Sequence, residues 1–159
     1  MNNYMKLEIL AIGENESFAR NAVAAFALSL NPSLAELSDI KTAVSEAVTN
    51  CILHAYAKCG NDKKIFIECR TEQTDADGQG VLHIQITDHG CGISDVEKAL
   101  MPFYTTLASE ERSGMGFTIM HTIMDDFSVE SKPNAGTMVS MTKKIGAVES
   151  EAVKEMLNS

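Results

Sequence analysis

Apolar and polar residues alternate from Met5 to Ile9, and Met5 to Ile12 reads as an extended segment near the head of the chain. Gly13-Glu14-Asn15 then turns the chain into a helix predicted over about Ser17 to Leu30, where Phe18, Val23, Phe26 and Leu30 recur at near-helical spacing. Asn31-Pro32 breaks that helix, and Ser33 is placed to cap the next, predicted from about Leu34 to Tyr56 and ending before Gly60-Asn61-Asp62. Lys64 to Cys69 and Val81 to Thr87 alternate again around the turn-rich TDADGQG, the pattern of an antiparallel hairpin. Asp88 to Ile93 makes a glycine-rich corner, followed by a short helix over Asp95 to Leu100. Pro102 to Gly116 has little periodicity and predicts a mobile loop, after which Phe117 to Met124 reads as a helix. A second hairpin joins Phe127–Ser131 to Thr137–Lys143 around Pro133-Asn134-Ala135-Gly136, and Val148 to Leu157 predicts a loose terminal helix. Helices followed by hairpins imply an α+β fold, a two-layer sandwich with helices on one face of a mixed or antiparallel sheet.

Composition narrows this picture. A chain of 159 residues favours one domain with its own core, here residues 1–145 with a short tail at 146–159. No apolar run approaches the ~20 residues of a membrane span, and MNNYMKLEIL lacks the basic-then-apolar order of a secretion signal. With 13 basic and 22 acidic side chains the net charge is −9. The excess is spread along both halves, which argues against a phosphate-backbone binder, because such proteins cluster Lys and Arg. The expectation is a soluble cytoplasmic protein with neither a direct nucleic-acid partner nor a membrane partner. Cys51, Cys59, Cys69 and Cys91 form no C-x-x-C pair, and no histidine stands at a zinc-motif spacing from them, so reduced thiols are expected.

Three segments carry candidate chemistry. In SEAVTNCILHAY, Glu46, Asn50 and His54 are spaced by four and share a helical face, while Val44, Val48, Cys51 and Ala55 fall on the other side. Taken alone, the plainer reading is an amphipathic helix with a wet polar face. Chemically, Asn can give a neutral oxygen to Mg²⁺ and Glu can take a proton from an attacking hydroxyl. In ITDHGCGI, Asp88 ends a strand and is followed by Gly90 and Gly92, which permit close backbone approach to a flat ligand. A carboxylate there can accept from the exocyclic amine of adenine, whereas guanine would turn an acceptor toward it. A plain glycine turn is the simpler reading of that string taken alone. In ERSGMGFTIMHTI, Gly114 and Gly116 open a helix whose free N–H groups can face phosphate, with Arg112 nearby and Ser113 as an ordinary cap. No Walker loop or protein-kinase glycine loop occurs.

The order of the three is more specific than any one of them. EAVTN resembles the N box, DHGCGI the first glycine box and RSGMGF the second glycine box of the GHKL ATPases, the Bergerat-fold family of gyrase, histidine kinases and the mismatch-repair protein MutL. Ala135-Gly136-Thr137 resembles the Gly-Thr signature near the adenine, so the resemblance spans about Met5 to Lys144. Within that family, ENESFAR, SEAVTN, FYTT followed by ERSGMGFTIM, and MDDF are similar to the anti-sigma serine kinases of spore-forming bacteria.

That resemblance implies a protein that uses ATP and Mg²⁺, holds a sporulation sigma factor inactive, and phosphorylates a small anti-anti-sigma antagonist on serine. It implies Asn50 as the Mg²⁺ ligand, Glu46 as general base and His54 near phosphate. Asp88 becomes the adenine reader, with Gly90 and Gly92 beside the base and Thr137 hydrogen-bonded near Asp88. Thr105, Thr106, Arg112, Ser113, Gly114, Met115 and Gly116 become the lid and phosphate loop. Arg20 is implied as an exposed contact to sigma and antagonist, and the first strand as the seam of a homodimer. Two positions depart from the pattern: Leu107 follows Thr105-Thr106 where relatives carry lysine, and Ala55 replaces a glycine after His54. The motifs alone are equally compatible with an ATPase gate in which Glu46 activates water, and with a nucleotide-ordered binding module lacking transfer activity.

Overall fold

The computed structural model describes residues 2–58, 62–73, 79–102 and 115–146. The predicted terminal helix at Val148 to Leu157 and most of the loop between Pro102 and Gly116 lie outside those residues.

A five-stranded sheet runs in the order β1-β2-β3-β5-β4, formed by β1 (Asn3–Leu10), β2 (Lys64–Gln73), β3 (Gly80–Asp88), β4 (Asp126–Lys132) and β5 (Gly136–Ile145). Every neighbouring pair is antiparallel, so of the two arrangements expected the antiparallel one holds. Alternation explains which face is covered: Ile65, Ile67, Cys69, Leu82, Ile84 and Ile86 are buried, and the residues between them point to the open face. Two long helices, α1 (Glu14–Ala27) and α2 (Leu34–Asn50), with the shorter α3 (Val96–Ala99) and α4 (Gly116–Ile123), complete the order of elements.

Helix α2 begins where its sequence says. Asn31 takes a left-handed φ of 53°, ending the 3₁₀ turn Leu28–Leu30 that follows α1. Ser33 Oγ then accepts from Glu36 N at 3.1 Å, while Glu36 Oε2 accepts from Ser33 N at 2.7 Å, a complete capping box. Val44, Val48, Cys51 and Ala55 are buried, as their spacing predicts.

Of the periodic residues around α1, Val23 and Leu30 are buried and Phe26 packs on the core, but Phe18 does not. Phe18 is 54% exposed, and the buried line is Ala19, Val23, Ala24 and Ala27. Small side chains let α1 lie close against α2, and that closeness excludes a phenylalanine from the seam. Behind the sheet, Lys143 Nζ reaches Asp39 Oδ2 at 2.9 Å and Ile123 O at 2.7 Å, tying β5 to α2 and to the C-terminus of α4.

Ser33→Ala removes one half of the capping box and is expected to lower the unfolding free energy by about 1 kcal/mol. Urea titration should show a lower midpoint at unchanged slope; an unchanged midpoint would mean that tertiary packing alone fixes the start of α2.

Candidate functional site

Glu46 and Asn50 occupy the last turn of α2, both half-buried. The helix does not continue to Tyr56 in α form. Cys51–Ala55 is a π turn, a wider coil that includes His54. Glu46 and Asn50, four residues apart, lie along one edge of α2, and His54 follows in the π turn.

Helix α4 brings the second glycine motif to that same edge. Gly116, its first residue, stands so close that a Cβ built on it would lie 3.1 Å from Glu46 Oε2 and 3.4 Å from Asn50 Nδ2. The N-terminus of α4, with its outward N–H groups, thus abuts a carboxylate and an amide. Met115 directly precedes it. Thr105, Thr106, Arg112, Ser113 and Gly114 lie outside the described residues.

Asp88 ends β3 and is 3% exposed. Its Oδ1 accepts from Gly90 N at 2.9 Å, its Oδ2 faces the Cys51 thiol at 3.6 Å, and the Thr137 backbone N–H also donates to it. Burial raises its pKa above the usual carboxylate range, against the pull of those donors. Thr137 therefore serves Asp88 through its backbone; its hydroxyl pairs instead with Ser131 Oγ at 2.8 Å.

The corner after Asp88 is folded tightly against its surroundings. A Cβ on Gly90 would stand 2.1 Å from the Ala55 carbonyl oxygen, and Cys91 N donates to that same oxygen at 2.8 Å. Gly92 adopts φ +69°, and a Cβ there would meet the Lys132 carbonyl oxygen at 1.9 Å. Protein backbone thus fills the space at both glycines, so their first effect is to seat the corner between the π turn and the β4–β5 turn.

Three residues of this site escaped the sequence reading. Cys51 faces Asp88 from the π turn. Tyr56 Oη accepts from His89 N at 2.9 Å and donates to Lys64 O, pinning the corner to the start of β2. Ser131 Oγ accepts from Ile93 N at 2.7 Å and also reaches Gly136 O at 2.9 Å. Ser131 stands opposite Thr137 in the β4–β5 register. One cysteine departs from the reduced state expected: Cys91 is disulfide-bonded, whereas Cys51 and Cys69 are free and buried.

Arg20 is half-buried, unlike the exposed arginine expected. Its guanidinium meets both carboxylate oxygens of Glu16 at 2.7 Å, and Glu16 also accepts from Ser45 Oγ, next to Glu46. Burial raises the Glu16 pKa, but the hydrogen bonds from Ser45 and Arg20 outweigh it and leave a net lowering.

A carboxylate and an amide at the mouth of a glycine-opened helix, with a buried acceptor at a strand end, are a donor set that fits a magnesium nucleotide. The Histidine kinase-like ATPase domain family matches residues 14–143. The chain belongs to that family. Among curated relatives, the anti-sigma F factor of Caldanaerobacter subterraneus subsp. tengcongensis is 53% identical over 145 residues, 91% of this chain and 96% of that one. The anti-sigma F factor of Bacillus subtilis (strain 168) is 46% identical, covering 91% of this chain and 94% of its own. The fold is shared with the RsbU and RsbW domains of Rv1364c from Mycobacterium tuberculosis, at a TM-score of 0.61 and 14% identity over 90% of this chain and 32% of that one. No helix among the described residues is long and apolar enough to cross a membrane.

The raised pKa of Asp88 has a sign that can be tested. Its folded value lies above its unfolded value, so the stability contribution is full below the unfolded pKa, about 3.9, and is lost as pH rises through the folded value. Asp88→Asn is expected to stabilise the ligand-free protein at neutral pH, with the advantage vanishing in acid. Urea unfolding across that range checks it; a variant less stable than the parent at neutral pH contradicts the account.

Proposed function

We propose that this protein is an ATP-dependent anti-sigma factor and serine-protein kinase. In this reading it binds and inhibits a sporulation sigma factor and phosphorylates a small anti-anti-sigma protein on serine. The observation that carries the nucleotide half is the seating of Gly116 against Glu46 and Asn50. The names of the curated relatives, at 46–53% identity over nine-tenths of the chain, support the partner half.

In the proposed reaction Asp88 accepts a hydrogen bond from the 6-amino group of adenine, and the N–H groups opening α4 face the phosphates. Asn50 supplies its amide oxygen to Mg²⁺, which screens phosphate charge when bound. Arg112, Ser113, Gly114, Met115, Thr105, Thr106 and His54 are proposed to line the phosphates. Glu46 accepts the proton of the incoming serine hydroxyl as its oxygen bonds to the γ-phosphorus and the bond to the ADP oxygen breaks. Most of the rate enhancement then comes from positioning and charge screening.

Arg20 is proposed as the contact to sigma and antagonist; Glu16 and Ser45 fix its direction from beneath. A homodimer through β1 is supported by the geometry of that strand, an edge of the sheet whose Tyr4 is 72% exposed and Leu10 54% exposed. We place the protein in the cytoplasm, where the proposed sigma partner works.

Incubation with γ-labelled ATP, Mg²⁺ and the cognate antagonist tests the reaction. Label on an antagonist serine is expected, and Glu46→Ala should keep ATP binding while losing at least ~100-fold in transfer. Free phosphate without labelled antagonist would favour an ATPase gate; equal transfer by variant and parent would remove Glu46 from the chemistry. Arg20→Ala is expected to weaken capture of sigma and antagonist at unchanged ATP affinity. Undiminished capture of both would make Arg20 an ordinary helix-surface ion pair.

A further inference from the structure

Asp88 is held from two layers of the fold. The Gly90 and Thr137 N–H donors belong to the corner and to β5, where they are backbone groups that no side-chain substitution deletes. The third donor comes from the helical layer. Cys51 directly follows Asn50 and opens the π turn, which places its Sγ 3.6 Å from Asp88 Oδ2. Cys51 is 5% exposed and Asp88 3%.

An ionised carboxylate offers about four acceptor directions. With protein donors at three, the direction left for a ligand is set by where those three stand. The titratable groups facing Asp88 are Cys51, Tyr56 and His89. In the Cys51 contact the thiol is the donor and the carboxylate oxygen the acceptor.

We propose that Cys51 is a positioning residue for adenine recognition: its S–H holds Asp88 Oδ2 so that the carboxylate turns its remaining acceptor direction toward the 6-amino group of the base. The proposal rests on the reading of Asp88 as the adenine acceptor. It assigns to Cys51 a part in specificity that packing alone would not give.

Calorimetric titration with ATP and with purine riboside 5′-triphosphate, which lacks the 6-amino group, separates the two roles. The parent protein is expected to prefer ATP by on the order of tenfold, the worth of one hydrogen bond to a charged acceptor. Cys51→Ala and Cys51→Val are expected to cut that preference roughly threefold or more by weakening ATP and sparing the analogue. Cys51→Ser, which keeps a hydroxyl donor, is expected to hold the preference near the parent value. Should the alanine variant fail to fold by circular dichroism, valine fills the thiol's volume and carries the comparison. Parallel weakening of both nucleotides, with the ratio unchanged, overturns the proposal, as does a folded serine variant with a ratio as low as that of valine. A parent protein without preference for ATP would instead overturn the reading of Asp88 itself.

Discussion

Burying a carboxylate disfavours its ionised form unless donors meet it, and the fold around Asp88 is arranged under that constraint. The strand end that carries Asp88 cannot simply run out to solvent. It must turn at once so that Gly90 N reaches Oδ1, and that turn must fit beneath the Ala55 carbonyl. The fit requires glycine at 90, and the next step requires a positive φ at 92. On the far side, Ser131 and the β4–β5 turn receive the corner, with Ile93 N on Ser131 Oγ and Asn134 N on Cys91 O at 2.6 Å. The D-x-G-x-G string is thus the sequence trace of a packing problem around one buried acid.

The π turn at Cys51–Ala55 solves the other half of that problem. A regular helix ending after Asn50 would have carried Cys51, Ala55 and Tyr56 to different azimuths. The wider turn lets one short segment deliver a thiol to Asp88, a carbonyl to Cys91 N and a phenol to both His89 N and Lys64 O. Just before it, the last residues of α2 present Glu46 and Asn50 to α4. One continuous stretch thereby fixes the base end and the phosphate end of the proposed nucleotide site relative to each other.

Much of this was legible in the chain. The start of α2 was readable from Ser33 because a capping box is local chemistry, and both hairpins were readable because alternation follows from the pleat. The pairing of Glu46 with the second glycine motif was legible only through the ordered resemblance, since no periodicity links residues so far apart. Phe18 keeps the spacing but not the burial of Val23 and Leu30, because the seam with α2 selects alanine for closeness. Cys51, Tyr56 and Ser131 were not legible as site residues, because their roles depend on a π turn and on a strand register that residue spacing does not encode.

The link between the proposed partner surface and the nucleotide site is also a matter of one helix. Ser45 precedes Glu46 in α2, yet its hydroxyl points the other way, to Glu16 on α1, which grips Arg20. Successive α2 residues thus face the phosphate edge and the α1 seam. A rotation of α2 that moved Glu46 relative to α4 would carry Ser45 with it and disturb the Glu16–Arg20 pair, because the alanine-lined contact leaves α1 little room to yield independently. A half-buried i,i+4 ion pair of this kind adds little to stability. Its consequence is geometric: the direction of Arg20 is tied to the helix that carries the proposed general base.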